Sequence, residues 1–116
     1  MAKRDKVIFL SGKYAGDIDK NVEYARNFAE ELWDAGYTVI CPHLNTANFD
    51  ELGLTSHKDY LNGYIEIMSR CDAVFALPNW KDSSGAQSEI TGALSRGIPV
   101  FESLDLVNLW YEYDKD

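Results

Sequence analysis

The chain has 116 residues, 46% hydrophobic and 26% charged, which predicts a single globular domain over residues 1–116 rather than a disordered or fibrous chain. Its 11 Lys and Arg stand against 19 Asp and Glu, a net charge of −8; this disfavours a nucleic acid polymer as partner but leaves room for a small anion held by backbone amides. No apolar run approaches the roughly 18 residues of a membrane span, "MAKRDKVIFLSG" is too short in its apolar part for a secretory leader, and Cys41 and Cys71 show no framework spacing, so the expectation is a cytoplasmic protein with free thiols.

In chain order, "KVIFLSG" is an apolar run without alternation, stopped at Gly12, and predicts a strand covered on both faces. A helical period follows, with Val22, Ala25, Phe28, Ala29, Leu32 and Trp33 on one face, Asp19 as cap and Gly36 as stop. "YTVIC" is the second strand. His43 to Ser56 is polar and irregular, and its length marks it as a lid or binding loop. Ser56 and Asp59 form a capping pair for a helix whose inward side is Tyr60, Tyr64, Ile67 and Met68. "DAVFAL" is the third strand, and Ile90, Ala93 and Leu94 mark the inward face of the helix after it, ending at Gly97. "IPVFE" is the fourth strand. "LDLVNLWYEYDKD" reads as a covering helix or a fifth strand, its Trp110, Tyr111 and Tyr113 packing on the sheet or joining subunits of a homo-oligomer.

Strands alternating with helices predict an α/β three-layer sandwich around a parallel sheet of four or five strands, flavodoxin-like or Rossmann-like, in the order 2-1-3-4. In that order the first and third strands are neighbours and their outgoing loops part around a ligand crevice. Those loops are "SGKYAGD" and "PNWKDSSGA".

In the first loop, Gly12 allows close backbone approach, while Ser11, Lys13 and Tyr14 offer hydroxyl, cationic and aromatic contacts. The loop matches neither GxGxxG nor the P-loop pattern; it reads as a plain turn or as a ligand loop, and its place at the switch point favours the second. In the other loop Ser83 or Ser84 caps a helix and Gly85 admits a ligand to the helix's free amides, an anion site. The same residues also fit a simple serine cap. Glu89, five residues beyond Ser84, is expected to be ionised by the helix's positive end, as a working carboxylate or as an ordinary surface acid. Trp80 is placed either to stack on a base or to pack beside Pro78. Cys41, His43, Asp50, Glu51, His57 and Asp59 lack metal-ligand spacing, so neither a metal nor another cofactor is expected.

"CDAVFALPNWKDSSGAQSE", Cys71 to Glu89, followed by "ITGALSRGIPVF", resembles the nucleoside 2-deoxyribosyltransferases and their nucleotide N-hydrolase relatives, and within them a small bacterial and phage domain family. The resemblance implies that Glu89 attacks C1′ of a deoxyribosyl group. It also implies that Ser83 and Gly85 contact a 5′-phosphate, with Ser11 standing in for a phosphate-binding serine that aligns with Gly12. Ile8 stands where the superfamily offers a tyrosine that orients the nucleophile, with Tyr14 as substitute, and Tyr64 where it has an Asp for the leaving base. The function so implied is N-glycosidic hydrolysis or deoxyribosyl transfer on a nucleoside monophosphate or nucleoside. A catalytically inactive nucleotide-binding or signalling module is the alternative.

Overall fold

The computed structural model describes residues 2–114, the side chain of Asp50 excepted; residues 1, 115 and 116 of the expected domain lie outside the described residues. Four strands, β1 (Val7–Ser11), β2 (Thr38–Ile40), β3 (Ala73–Ala76) and β4 (Val100–Phe101), form one sheet in the order β2-β1-β3-β4, every pair parallel. Five helices surround it: α1 (Ile18–Asp34), α2 (Pro42–Asn45), α3 (His57–Met68), α4 (Ser84–Ser95) and α5 (Leu104–Asp114). The expected order is therefore present, with the C-terminal segment a helix and not a fifth strand.

Because strand side chains alternate between faces, β1 and β3 feed two cores. Ile8, Leu10, Ala73 and Phe75 pack with Ala25, Ala29 and Leu32 of α1 and with Val107 and Tyr111 of α5. Phe9, Val74 and Ala76 pack on the other face with Tyr64 and Met68 of α3 and Ile90 and Ala93 of α4. Each large apolar side chain so covered contributes about 1.5–3 kcal/mol, and this two-sided burial explains why the strands read as unbroken apolar runs. Trp110 packs against the first core and Tyr111 belongs to it, so these aromatics cover the sheet, whereas Tyr113 is exposed.

The helix ends follow local chemistry. Asp17, not Asp19, caps α1, accepting from the amide of Lys20, because the helix starts at Ile18, directly after Asp17 and two residues earlier than an Asp19 cap would permit. Ser56 caps α3 through the amide of Asp59. Gly36 and Gly97 adopt φ of 107° and 73°, the left-handed turn that ends α1 and α4.

Three helix faces differ from expectation. Trp33, 43% exposed, lies under the guanidinium of Arg4 and not in the core. Ile67 is on the outer side of α3, and Leu94, 63% exposed, is on the outer side of α4. The inward stripe of α4 is Ala86, Glu89, Ile90 and Ala93. It has proper i, i+3, i+4, i+7 spacing, but only if an acid is admitted to it.

Candidate active site

The chain that leaves β1 turns to α1 on one face of the sheet, and the chain that leaves β3 turns to α4 on the other. Between them opens a cavity of about 430 Å³, walled by residues 12–16, the start of α2, the first turns of α3 and the start of α4. A volume of this size suits a small molecule, for which pockets of about 300–1,000 Å³ are usual.

Glu89 sits on its wall with 8% of its surface exposed. Ser11, at the end of β1 and on the same side of the sheet as Phe9, donates its hydroxyl hydrogen to Glu89 Oε1 at 2.7 Å. Glu89 Oε2 has no such partner, and no sealed-off side-chain oxygen among the described residues lacks one, so Oε2 meets the cavity. Burial pushes the carboxyl from 4.5 up to about 7, the Ser11 hydrogen bond opposing it. This corrects the expectation of a carboxylate kept ionised by the helix. Glu89 is the sixth residue of α4, past the first turn to which the helix field is confined. No Lys or Arg pairs with it among the described residues.

At the mouth of α4, Ser83 is the cap, its Oγ accepting from the amide of Ala86 at 3.1 Å. Helical geometry leaves the amides of Ser84 and Gly85 without a carbonyl in their own helix, and both residues line the cavity. A Cβ at Gly85 would lie 3.8 Å from Ser83 Oγ and 3.9 Å from Leu61 Cδ1, ordinary contacts, so the neighbours do not demand glycine there. Gly12 is different. A Cβ on it would stand 2.8 Å from Leu77 Cβ, with Leu77 fully buried, so packing against the β3 exit requires glycine there.

The rest of the first loop is tied on three sides. The amide of Lys13 donates to Asn79 Oδ1 at 3.0 Å, joining the two switch-point loops. The carbonyl of Lys13 can only accept, so His43 Nε2, 2.9 Å away, carries a hydrogen; burial lowers the pKa of this imidazole and keeps it neutral. The hydroxyl of Tyr14 accepts from the amide of Asn48 at 2.8 Å. Asn48 reaches this position with φ 64°, a left-handed conformation that Asn tolerates.

The cavity thus brings together Gly12, Lys13, Tyr14, Ser83, Ser84, Gly85 and Glu89, with Ser11 directly behind Glu89. Trp80 stands outside this lining. It packs against the α3–α4 core, and its indole donates to Glu102 Oε1 at 3.0 Å. Asp72 accepts from the amide of Val7 at 2.7 Å, at the far end of the sheet. His57, Tyr60, Leu61 and Tyr64 of α3 and Thr46 also line the cavity; the helical period marks Tyr60 and Tyr64 as inward, Tyr64 stands where the resemblance implies an Asp for the leaving base, and the sequence pattern gives Leu61 and Thr46 no site role. The Tyr64 hydroxyl accepts from Asn45 Nδ2 at 3.0 Å and bonds Thr46 Oγ1 at 2.8 Å. Asp59 and Glu66 are exposed and outside the lining, Glu66 pairing with Arg70. Among the described residues no three His, Cys, Asp or Glu side chains converge on a metal position; the Asp50 side chain lies outside them. No helix among them is long and apolar enough to cross a membrane.

A parallel 2-1-3-4 sheet with a carboxylate-bearing cavity at its switch point defines an α/β protein of the doubly wound type of fold. Among solved structures, a 2-deoxyribosyltransferase from Bacillus psychrosaccharolyticus is similar, with a TM-score of 0.63 and 21% identity over 81% of this chain and 69% of that one. A 2-deoxyribosyltransferase from Leishmania mexicana matches with a TM-score of 0.61 and 20% identity, over 82% of this chain and 61% of that one. A comparison with curated protein sequences returned no match. Residues 6–102 match the model of a domain of unknown function, DUF4406. The chain belongs to that family, and its likeness to the two transferases is one of fold.

Proposed function

We propose that this protein cleaves the N-glycosidic bond of a nucleoside monophosphate, by hydrolysis or by deoxyribosyl transfer, through a glycosyl-enzyme on Glu89. The observation that carries the reading is a buried carboxyl with one oxygen bonded to Ser11 and the other open to a cavity of ligand size, with no Lys or Arg paired to it among the described residues. Such a group destabilises the fold when charged, and its chemistry is that of a nucleophile for a cationic centre.

In the first step the ionised Glu89 Oε2 gives a lone pair to C1′. The C1′–N bond breaks, and its electrons leave on the base, which takes a proton from water. In the second step water, or a nitrogen of another base, attacks C1′; the ester C–O bond breaks, the carboxylate is restored, and the attacking group's proton passes to solvent. A 2-deoxy sugar eases both steps because no 2′-hydroxyl withdraws electrons from C1′. The 5′-phosphate is assigned to the amides of Ser84 and Gly85 with Ser83 and Lys13 beside them, where a helix start favours an anion. The α3 side, with Tyr60, Leu61 and Tyr64, is assigned to the base. The free thiols of Cys41 and Cys71 support a reducing, cytoplasmic setting for the reaction.

The test is a mass-resolved screen of nucleosides and nucleoside monophosphates with the intact protein and Glu89→Gln. Base release lost in the variant, or a sugar adduct trapped on Glu89, is expected. Tight binding without turnover would replace the enzyme by a nucleotide-binding or signalling module. Neither binding nor turnover would overturn both readings.

A further inference from the structure

We infer that Ser11 is a positioning residue for the nucleophile, holding Glu89 so that Oε2 faces C1′, and that it does not hold the phosphate. The inference rests on the glycosidic reading of the cavity and assigns a part within it that the sequence placed elsewhere.

Ser11 is completely buried and is absent from the cavity lining, so a phosphate at the start of α4 does not reach it. Its backbone is fixed: it pairs in register with Ala76, and its carbonyl accepts from the amide of Leu77 at 2.8 Å. A hydroxyl has one hydrogen, and this one lies between Glu89 Oε1 at 2.7 Å and the carbonyl of Ala86 at 3.5 Å. The shorter, charge-assisted contact takes it.

That bond is the one hydrogen bond the Glu89 side chain makes among the described residues, and it selects between the two carboxylate oxygens. With Oε1 engaged behind the wall, Oε2 carries the lone pair available to a sugar. Without it, the side chain regains rotamers that turn the carboxyl away from the cavity, and attack loses its preorganised geometry. The hydroxyl also favours the ionised form that reacts, since it opposes the rise that burial causes. Ile8, fully buried at the position where a tyrosine is expected to orient the nucleophile, has no group to do this. Ser11 reaches Glu89 from farther along the same strand.

The experiment compares the intact protein with Ser11→Ala on a nucleoside and on its 5′-monophosphate. Positioning predicts that kcat falls about 10- to 100-fold, that KM holds, that the fold-loss is the same on both substrates, and that the acid limb of the rate moves to higher pH. A loss confined to the monophosphate, carried in KM, would make Ser11 a phosphate ligand and overturn the inference. The carboxyl of Glu89 is also titrated by 13C NMR in both proteins, a readout independent of turnover and of modest stability loss. A higher midpoint in Ser11→Ala is expected, and an unchanged midpoint overturns the pairing. If the intact protein turns over nothing while the midpoint still rises, the glycosidic reading falls and the Ser11–Glu89 coupling stands.

Discussion

Glu89→Gln is expected to stabilise the fold above about pH 7 and to have almost no effect on it near pH 4.5. The carboxyl ionises at about 7 in the folded chain against 4.5 for a free side chain. Between those values the folded state keeps a proton that the unfolded state has released, so this group's contribution to stability falls as pH rises. Below them both states are protonated and the contribution vanishes; above them both are ionised and the deficit levels off at about 3 kcal/mol, taking 1.36 kcal/mol per tenfold change in proton affinity. Glutamine has the same shape, still accepts from Ser11 through Oε1, and never ionises. With an unfolding entropy of about 2.1 cal/mol/K per residue, the variant's Tm should rise by roughly 10 °C at about pH 8 and by a degree or two near pH 4.5. Thermal unfolding followed by circular dichroism across that range is the assay. A gain that does not depend on pH, or a loss at about pH 8, would refute the claim that Glu89 is a buried charge carried at the fold's expense.

Three further outcomes test the site's surroundings. Gly12→Ala should lose about 1–3 kcal/mol in urea unfolding, since its methyl group meets Leu77; undiminished stability would mean that the β3 exit yields easily. Ser83→Ala should lose about 1 kcal/mol with the α4 cap and weaken the binding of a monophosphate more than that of the nucleoside, as read by calorimetry. Trp80→Phe removes the bond to Glu102 and should lower Tm by a few degrees while leaving KM unchanged; a KM raised severalfold would bring that ring into contact with the ligand.

Much of this fold was legible because buried parallel strands announce themselves as unbroken apolar runs, and right-handed crossovers then leave few orders to choose from. A serine cap at Ser83 or Ser84 was legible from local capping chemistry, and the structure selects Ser83. What failed was the rotation of helices whose stripe contains a polar member. With Glu89 taken as polar, the apolar face of α4 slid round to include Leu94, which is exposed. The pattern Ala86, Ile90, Ala93 already enclosed Glu89 and was the signal available. Residue type and position next to Gly12 suggest a loop residue facing a ligand for Ser11. Strand parity with Phe9 directs it instead toward α4, and nothing in residue type distinguishes the two. Its link to Glu89 spans 78 residues of chain, a separation beyond any local pattern. Trp80 was undecidable at that level, since an indole suits a base and a core equally well.

The ammonium of Lys6 lies 2.7 Å from the carboxylate of Asp114, clasping the last helix to the residue that precedes β1. This clasp is at the opposite end of β1 from Ser11, about 16 Å away along the strand. Lys6 and Asp114 therefore both lie on the side remote from the crevice. Immobilising the protein through an exposed position on that side should leave the mouth of the cavity clear for small molecules, which makes surface-based binding assays a natural first measurement.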